Sequence, residues 1–448
     1  MEFQSINPAN GKVIAQYKGL NPAEVKEKIS LSEKAFQQWK WTSFTSRATV
    51  LKKAAQLLLE RKEQYAALIT DEMGKLPYEA VAEIEKSALV CNYYADHAEE
   101  ILQDEVIASR FSRSIVNYSP LGAILEIMPW NFPFWQVFRF SAPALMAGNV
   151  LLLKHAPNVF GAAVAIEELL IEAGLPEHVF QNLIIDTDQV EEVLAAPIVQ
   201  GIALTGSERA GAAVASLAGK HIKKSILELG GSDPFIVLQD ADIDIAATAA
   251  VQSRMGNAGQ ACTSAKRFIV AKEILEPFTD AIMDKISNMA TQANGKQVAY
   301  MARPDLADNL QRQMLSSIEM GAQLLHGGER SGNYFPPTVL TNVSPGMPVF
   351  EEETFGPLLC IIEAEDEQDA VRLANSSRYG LGASIWTKDE TKGFQLASMV
   401  EAGTISVNHI VKSDPRLPFG GTKKSGYGRE LSAYGIKEFV NIKTMVVG

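Results

Sequence analysis

Ile124-Leu125-Glu126-Ile127-Met128, followed by Pro129-Trp130-Asn131-Phe132-Pro133, is the stretch on which the fold turns. Five residues with four large apolar side chains read as a buried strand, and two prolines flanking a short polar break end it in a loop. Beyond it the spacing predicts a helix over 134–147 and a second strand over 150–154. The alternation continues with helix 160–173, strand 180–185, helix 189–195, strand 201–204, helix 208–217 and strand 225–228. Strands and helices at this spacing predict βαβ units and a doubly wound parallel sheet, so the fold class is α/β. Such sheets bind ligands at the carboxyl ends of their strands. Three loops fall there, at 129–133, 154–157 and 205–211.

Residues 1–20 read as a hairpin turning at Asn10-Gly11, and 21–102 as helical, with a break at 71–77 separating two helices. A strand-like run at 115–118 fits either a hairpin that pairs with another subunit or an internal one. From 240 to 402 the α/β alternation resumes, with helices 242–254, 274–288 and 305–320 and strands 267–270 and 358–362, predicting a second α/β domain. A glycine-rich stretch, 418–430, precedes a strand-like tail at 439–447.

At 448 residues the chain exceeds one ordinary core, and length alone suggests about three domains. A net charge of −12 argues against nucleic acid or an anionic membrane as the main partner. The longest apolar region, 121–153, is broken by Glu126, Pro129, Asn131, Arg139 and Pro143 and is not expected to span a bilayer. Cys91, Cys262 and Cys360 are too far apart for a disulfide framework or a zinc cluster, so no metal site is expected. With no basic and apolar leader at the N-terminus, the expected compartment is the cytoplasm.

Two loops carry candidate chemistry. Gly256-Asn257-Ala258-Gly259-Gln260-Ala261-Cys262 presents a thiol in a glycine-flanked turn, where a thiolate would be a strong nucleophile. Taken alone, a cysteine is more often a small buried residue. Thr205-Gly206-Ser207 joins a strand to a helix and offers an anion site, or equally a plain serine cap. No Walker lysine follows, which disfavours nucleotide hydrolysis.

These pieces together resemble the aldehyde dehydrogenase superfamily over essentially the whole chain. The matching stretches are 129–133, Thr205-Gly206-Ser207, Glu228-Leu229-Gly230-Gly231, 256–262, Glu353-Thr354-Phe355-Gly356-Pro357 and 418–430. The resemblance implies a Rossmann-type cofactor domain (1–102 and 120–230), a catalytic domain (231–429) and a small β oligomerisation element (103–119 and 430–448). It implies Cys262 as nucleophile, Glu228 as general base and Asn131 as oxyanion donor. Cofactor contacts are implied for Trp130, Lys154, Pro157, Gly206, Ser207, Leu229, Glu353 and Phe355. NAD-preferring members often carry an acid at the position of Pro157. Its absence removes a repulsion against a 2′-phosphate, so NADP is expected to be preferred over NAD.

The wording of 408–421 is similar to that of the short bacterial succinate-semialdehyde dehydrogenases. By that resemblance Arg139 takes the distal carboxylate of the aldehyde near the tunnel mouth, with Ser413 as a hydroxyl contact and Trp135 and Phe419 as tunnel walls. An arginine found in some members six residues before the cysteine is replaced by Gly256. The alternatives are another aldehyde, charged or uncharged, and a non-catalytic protein on the same fold. A cofactor-free cysteine hydrolase is disfavoured because His155, His221 and His409 sit in no Cys–His pattern. The family resemblance also implies a homodimer or a dimer of dimers.

Overall fold

Six strands form the first sheet, in the order Gly426–Tyr427, Lys224–Glu228, Val199–Thr205, Ala123–Met128, Val150–His155 and Phe180–Asn182. This computed structural model describes residues 2–291 and 295–448. Ala123–Met128 runs parallel to both its neighbours, and the chain fills one side of it before crossing to the other. The sheet therefore reverses its order between Ala123–Met128 and Val199–Thr205, and the loops after these two strands open a crevice at that reversal. Every residue of Val150–His155 is buried, as a strand covered on both faces requires.

An antiparallel edge strand closes one side of this sheet. Gly426–Tyr427 lies in the stretch assigned to the second domain, yet it pairs with Glu228 and Leu227 of the first sheet. The approach is close enough that a Cβ on Gly426, at φ +107°, would overlap the Leu227 carbonyl, so only glycine fits.

The second sheet has seven strands, ordered Gln323–His326, Thr338–Thr341, Leu358–Ala364, Arg267–Ala271, Pro234–Val237, Gly382–Trp386 and Thr404–Val407. All neighbours are parallel except the first pair. Its two faces carry separate hydrophobic cores, while the first sheet shares one core with the N-terminal helices.

Residues 2–20 form the expected hairpin, Glu2–Ile6 against Val13–Lys18; Met1 lies outside the described residues. Four helices follow, Pro22–Trp39, Phe44–Glu60, Lys62–Met73 and Pro77–Ile101, where two were expected. The extra breaks come from local chemistry: Ser43 caps the second helix through Ser46 N–H, and Asn21 forms a capping box with Glu24 on the first.

The run expected at 115–118 is the longer strand Arg113–Pro120, held between Val440–Val447 and the short Glu105–Val106. Its partners come from the same chain. Among the described residues no helix is long and apolar enough to cross a membrane.

Candidate active site

Helix Ile243–Met255 delivers the chain to the cysteine loop. Gly256 takes an ordinary φ of −57° with open space around it, so its lack of a side chain is not needed there. The left-handed conformation falls instead on Asn257 (φ 51°), Ala258 (φ 50°) and Gly259 (φ 68°). Only Gly259 is sterically obligatory, because a Cβ there would overlap the Gly356 carbonyl oxygen. Two non-glycine residues at positive φ persist only where their surroundings over-determine them. Here Glu79 accepts the Asn257 N–H (2.8 Å), Asn257 Nδ2 donates to the Asn131 carbonyl (3.0 Å), and Gln260 Oε1 accepts the Ala302 N–H (2.9 Å). Lys266 Nζ donates to the carbonyls of Ala261 (2.9 Å) and Cys262. Arg254, fully buried, ties Ser264 Oγ (3.1 Å) to the Thr354 carbonyl (2.8 Å), joining the cysteine loop to the Glu353 loop.

Asn131 is fixed with equal care. It sits in the loop before helix Trp135–Met146, whose first N–H groups, Phe134 (2.8 Å) and Trp135 (3.1 Å), donate to Glu83 Oε1. The other Glu83 oxygen pairs with Lys75, and both partners are fully buried. Lys75 also donates to the Asn131 carbonyl (2.9 Å), while its ammonium lies 3.8 Å from the Phe132 ring centroid. From the opposite side, His155 Nδ1 accepts the Ala156 N–H (2.9 Å) and Nε2 bonds the Pro133 carbonyl (2.9 Å). Burial holds this ring neutral, its pKa pulled down to about 4. Asn131 Nδ2 then donates to the Gln260 carbonyl (3.1 Å), and its second hydrogen stays available next to the thiol loop. Among the described residues no acceptor takes the Cys262 N–H.

The thiol lies against a buried cluster of charge. Burial pushes the Cys262 pKa well up, the Glu228 carboxylate beside it adds to this, and Arg139 and Lys266 partly offset both. Glu228 Oε2 accepts from Arg139 NH2 (3.3 Å), whereas Oε1 has no N–H or O–H donor from the protein. Arg139 is 2% exposed, and its Nε lies 2.5 Å from Glu430 Oε2. Burial raises the Glu430 carboxyl to about 7, with Arg139 opposing and Glu228 reinforcing the shift.

Arg139, for which the resemblance implies contact with the distal carboxylate of the aldehyde, is enclosed, its charge shared by two protein carboxylates and its face 5.1 Å from the Phe419 ring. The physical reason is the phase of helix Trp135–Met146, which aims residue 139 at the sheet, where Thr205 Oγ1 accepts a further bond (3.2 Å).

On the sheet side of the thiol a cleft of about 440 Å³ gathers Trp130, Asn131, Gly206, Ser207, Glu228, Leu229, Cys262, Glu353 and Phe355. Trp130 and Phe355 meet edge to face at 5.8 Å. Gly206 N–H donates to the Glu228 carbonyl (2.9 Å), which locks the 205–207 turn to the strand that ends at Glu228. Ser207 caps its helix through Ala210 N–H (3.3 Å). In the acidic run 351–353, Glu351 is exposed, Glu352 pairs with Arg312, and Glu353 turns inward to accept the Gly231 N–H (3.0 Å). Lys154 sits on the neighbouring strand, 5% exposed, and among the described residues no carboxylate lies within 4.0 Å of it. Pro157 is exposed three residues further on, opening the short turn Pro157–Val159. Burial lowers the Lys154 pKa and Asp186 opposes the shift; Lys154 does not line the cleft itself, whereas Glu353 does and fits ribose hydroxyls. Arg303, 5.9 Å from the Trp130 ring, lines the same cleft and had no signal in the sequence.

A second cavity, about 470 Å³, opens on the far side of the cysteine loop between Phe132, Ala261, Thr263, Val411 and Lys412. Gly256 lines it, leaving open the space that an arginine would occupy. Trp135 is buried, with the Lys86 ammonium 4.2 Å from its ring, and Ser413 Oγ accepts from Lys86 Nζ (2.7 Å). Lys75, Glu83, His155 and Glu430 also went unassigned in the sequence, because the contacts by which they reach the Asn131 loop, its helix or Arg139 span 22 residues or more.

The aldehyde dehydrogenase family model matches residues 1–445. A Synechocystis protein described as "Probable succinate-semialdehyde dehydrogenase (NADP(+))" is 46% identical over 451 residues, covering 99% of each chain. The succinate semialdehyde dehydrogenase (NAD(P)+) Sad of Escherichia coli is 44% identical over 449 residues, covering 98% of this chain and 97% of its own. The structure superposes with a TM-score of 0.96 on succinic semialdehyde dehydrogenase from Streptococcus pyogenes in complex with NADP+, at 34% identity and 99% coverage of both. The half-buried thiol with its carboxylate and its amide, set between two cavities on this two-sheet frame, belongs to a member of the aldehyde dehydrogenase family.

Proposed function

We propose that this chain oxidises succinate semialdehyde to succinate, with NADP preferred over NAD as the hydride acceptor. The observation that carries the reaction is the Cys262 thiol against the Glu228 carboxylate, with the Asn131 amide and a free Cys262 N–H alongside. Full-length relatives at 46% and 44% identity support the substrate.

Glu228 takes the proton of the thiol, and the sulfur adds to the aldehyde carbon to give a thiohemiacetal. The charge that develops on oxygen is met by Asn131 Nδ2–H and the Cys262 N–H, both held in place before substrate arrives. Bound nicotinamide supplies the hydride acceptor that turns a thiohemiacetal into a thioester. Once Glu228 has passed the thiol's proton on to solvent, it removes a proton from water, whose oxygen attacks the thioester carbon; the C–S bond breaks, releasing the acid and the Cys262 thiolate, which is reprotonated. Because burial keeps the resting thiol protonated, the sulfur becomes reactive only when this base acts on it.

Trp130, Gly206, Ser207, Leu229, Glu353 and Phe355 hold the cofactor, and Lys154 takes the 2′-phosphate. Support for NADP comes from Lys154 having no carboxylate within 4.0 Å among the described residues and from Pro157 offering none. The test is NAD(P)H formation with succinate semialdehyde, butanal and benzaldehyde, each with both cofactors. Turnover of succinate semialdehyde with NADP, lost in Cys262→Ala while NADP still binds, is expected. No turnover of any aldehyde by the unaltered protein would defeat the reading, and equal turnover of all three would move it to an uncharged substrate.

A further inference from the structure

Helix Pro77–Ile101 directs three charged residues at the active site from one face, spaced four and three apart: Glu79, Glu83 and Lys86. Glu79 holds the cysteine loop through Asn257 N–H (2.8 Å), and Glu83 holds the start of helix Trp135–Met146 (2.8 and 3.1 Å). Both are occupied by the protein. Lys86 is not: among the described residues no carboxylate lies within 4.0 Å of its ammonium.

Its surroundings set a cation without neutralising it. The Nζ donates to Ser413 Oγ (2.7 Å) and stands 4.2 Å from the Trp135 ring centroid. The charges that reach it are Arg139 from the facing helix, Lys412 from the loop beside Ser413, Cys262 from the catalytic loop and Glu83 from its own helix. Asp414 feels the Lys86 charge but is held by Arg416 (2.8 and 2.6 Å). Arg139 is neutralised by Glu228 and Glu430, and Glu83 by Lys75. Burial, and behind it Arg139 and Lys412, lowers the Lys86 pKa to about 8. A half-buried ammonium with unspent hydrogens, near enough to feel the charges of Cys262 and of the cavity-lining Lys412, matches an anionic group brought by the ligand.

We propose that Lys86, with the Ser413 hydroxyl, receives the distal carboxylate of the aldehyde and so determines selectivity for an acidic semialdehyde over an uncharged one. This rests on the reading that succinate semialdehyde is the substrate. Lys86 fixes one end of the chain while Cys262 reacts at the other, so its role is in binding and not in the chemical step.

The test is steady-state kinetics of the unaltered protein, Lys86→Met and Lys86→Arg with NADP, using succinate semialdehyde and the uncharged butanal. Lys86→Met is expected to raise KM for succinate semialdehyde about 10- to 100-fold, the weight of a charged hydrogen bond. Its KM and kcat for butanal stay unchanged, and Lys86→Arg recovers most of the loss. If the unaltered protein prefers succinate semialdehyde while Lys86→Met keeps that preference, Lys86 is not the receptor. Equal losses on both aldehydes would assign it a structural role and also overturn the proposal. An unaltered protein with no preference between the two aldehydes would sink the substrate reading itself, and the role of Lys86 with it.

Discussion

Arg139 matches a family position and is engaged by two carboxylates of its own chain. Its guanidinium bridges Glu228 and Glu430, and removing it would leave two buried carboxylates facing each other without a cation. Breaking such an arrangement costs about 3–5 kcal/mol locally, and the base loses the partner that orients it. Arg139→Ala should therefore lower kcat roughly 100-fold, the weight of a positioned general base. The fall should be similar for succinate semialdehyde and butanal, with little change in KM for either. A KM increase confined to succinate semialdehyde would return Arg139 to the substrate. Pro157 invites the opposite manipulation, since it is exposed and opens a short turn whose start tolerates an acid. Pro157→Glu places a carboxylate near Lys154 and should weaken NADP binding roughly 10- to 100-fold while changing NAD binding little, by repulsion of the 2′-phosphate. Quenching of tryptophan fluorescence on titration with each dinucleotide reads both constants, and equal weakening would show that Lys154 is not at the phosphate.

At the scale of elements, the active site consists of loops held by residues from other elements, and His155 is the clearest case. Its ring joins the end of strand Val150–His155 to the 129–133 loop, Nε2 donating to the Pro133 carbonyl while Nδ1 accepts the Ala156 N–H. The unfolded chain binds a proton on this histidine near 6.5, and the folded protein only near 4. Between those values the unfolded state holds more protons, so this contribution is full above about pH 6.5 and falls as pH drops toward 4. The loss amounts to about 3 kcal/mol. Denaturant midpoints between about pH 7 and pH 4.5 should thus fall more steeply for the unaltered protein than for His155→Gln; parallel curves would refute the assignment. The sequence carried no such signal for His155, because its partners are backbone groups, which have no identity in a sequence. The strand from 124 to 128 and its neighbours were legible, since fully buried parallel strands are written as continuous apolar runs. Cys262, Glu228 and Asn131 were legible only jointly, through motifs in order; their contacts span 129 residues in the case of Asn131 and Gln260. Lys86 was invisible for the same reason, sitting 327 residues from Ser413 on a helix that reads as packing.

For the whole molecule, the unresolved balance lies at the edge of the third sheet. Val440–Val447 covers Arg113–Pro120 on one side, and among the described residues its own outer edge is unpaired. Seven of its eight residues are exposed, including Ile442 (61%), Met445 (41%), Val446 (47%) and Val447 (55%). On the opposite margin of the same sheet Val106 is 79% exposed. An open edge with an apolar face is a template for pairing, and soluble proteins seldom leave one bare. The two large sheets have buried faces and cannot take part, so a second copy of this chain is the occupant we expect, giving a dimer or a dimer of dimers. Ile442→Lys with Val446→Lys should convert that assembly to monomers in sedimentation equilibrium, because lysines on an edge strand oppose edge-to-edge pairing. The substitutions lie in the C-terminal strand, outside both sheets that carry the active site, so the monomer should keep NADP affinity. An unaltered protein that sediments as a monomer would remove the premise. A double variant that stays assembled would place the interface on another surface.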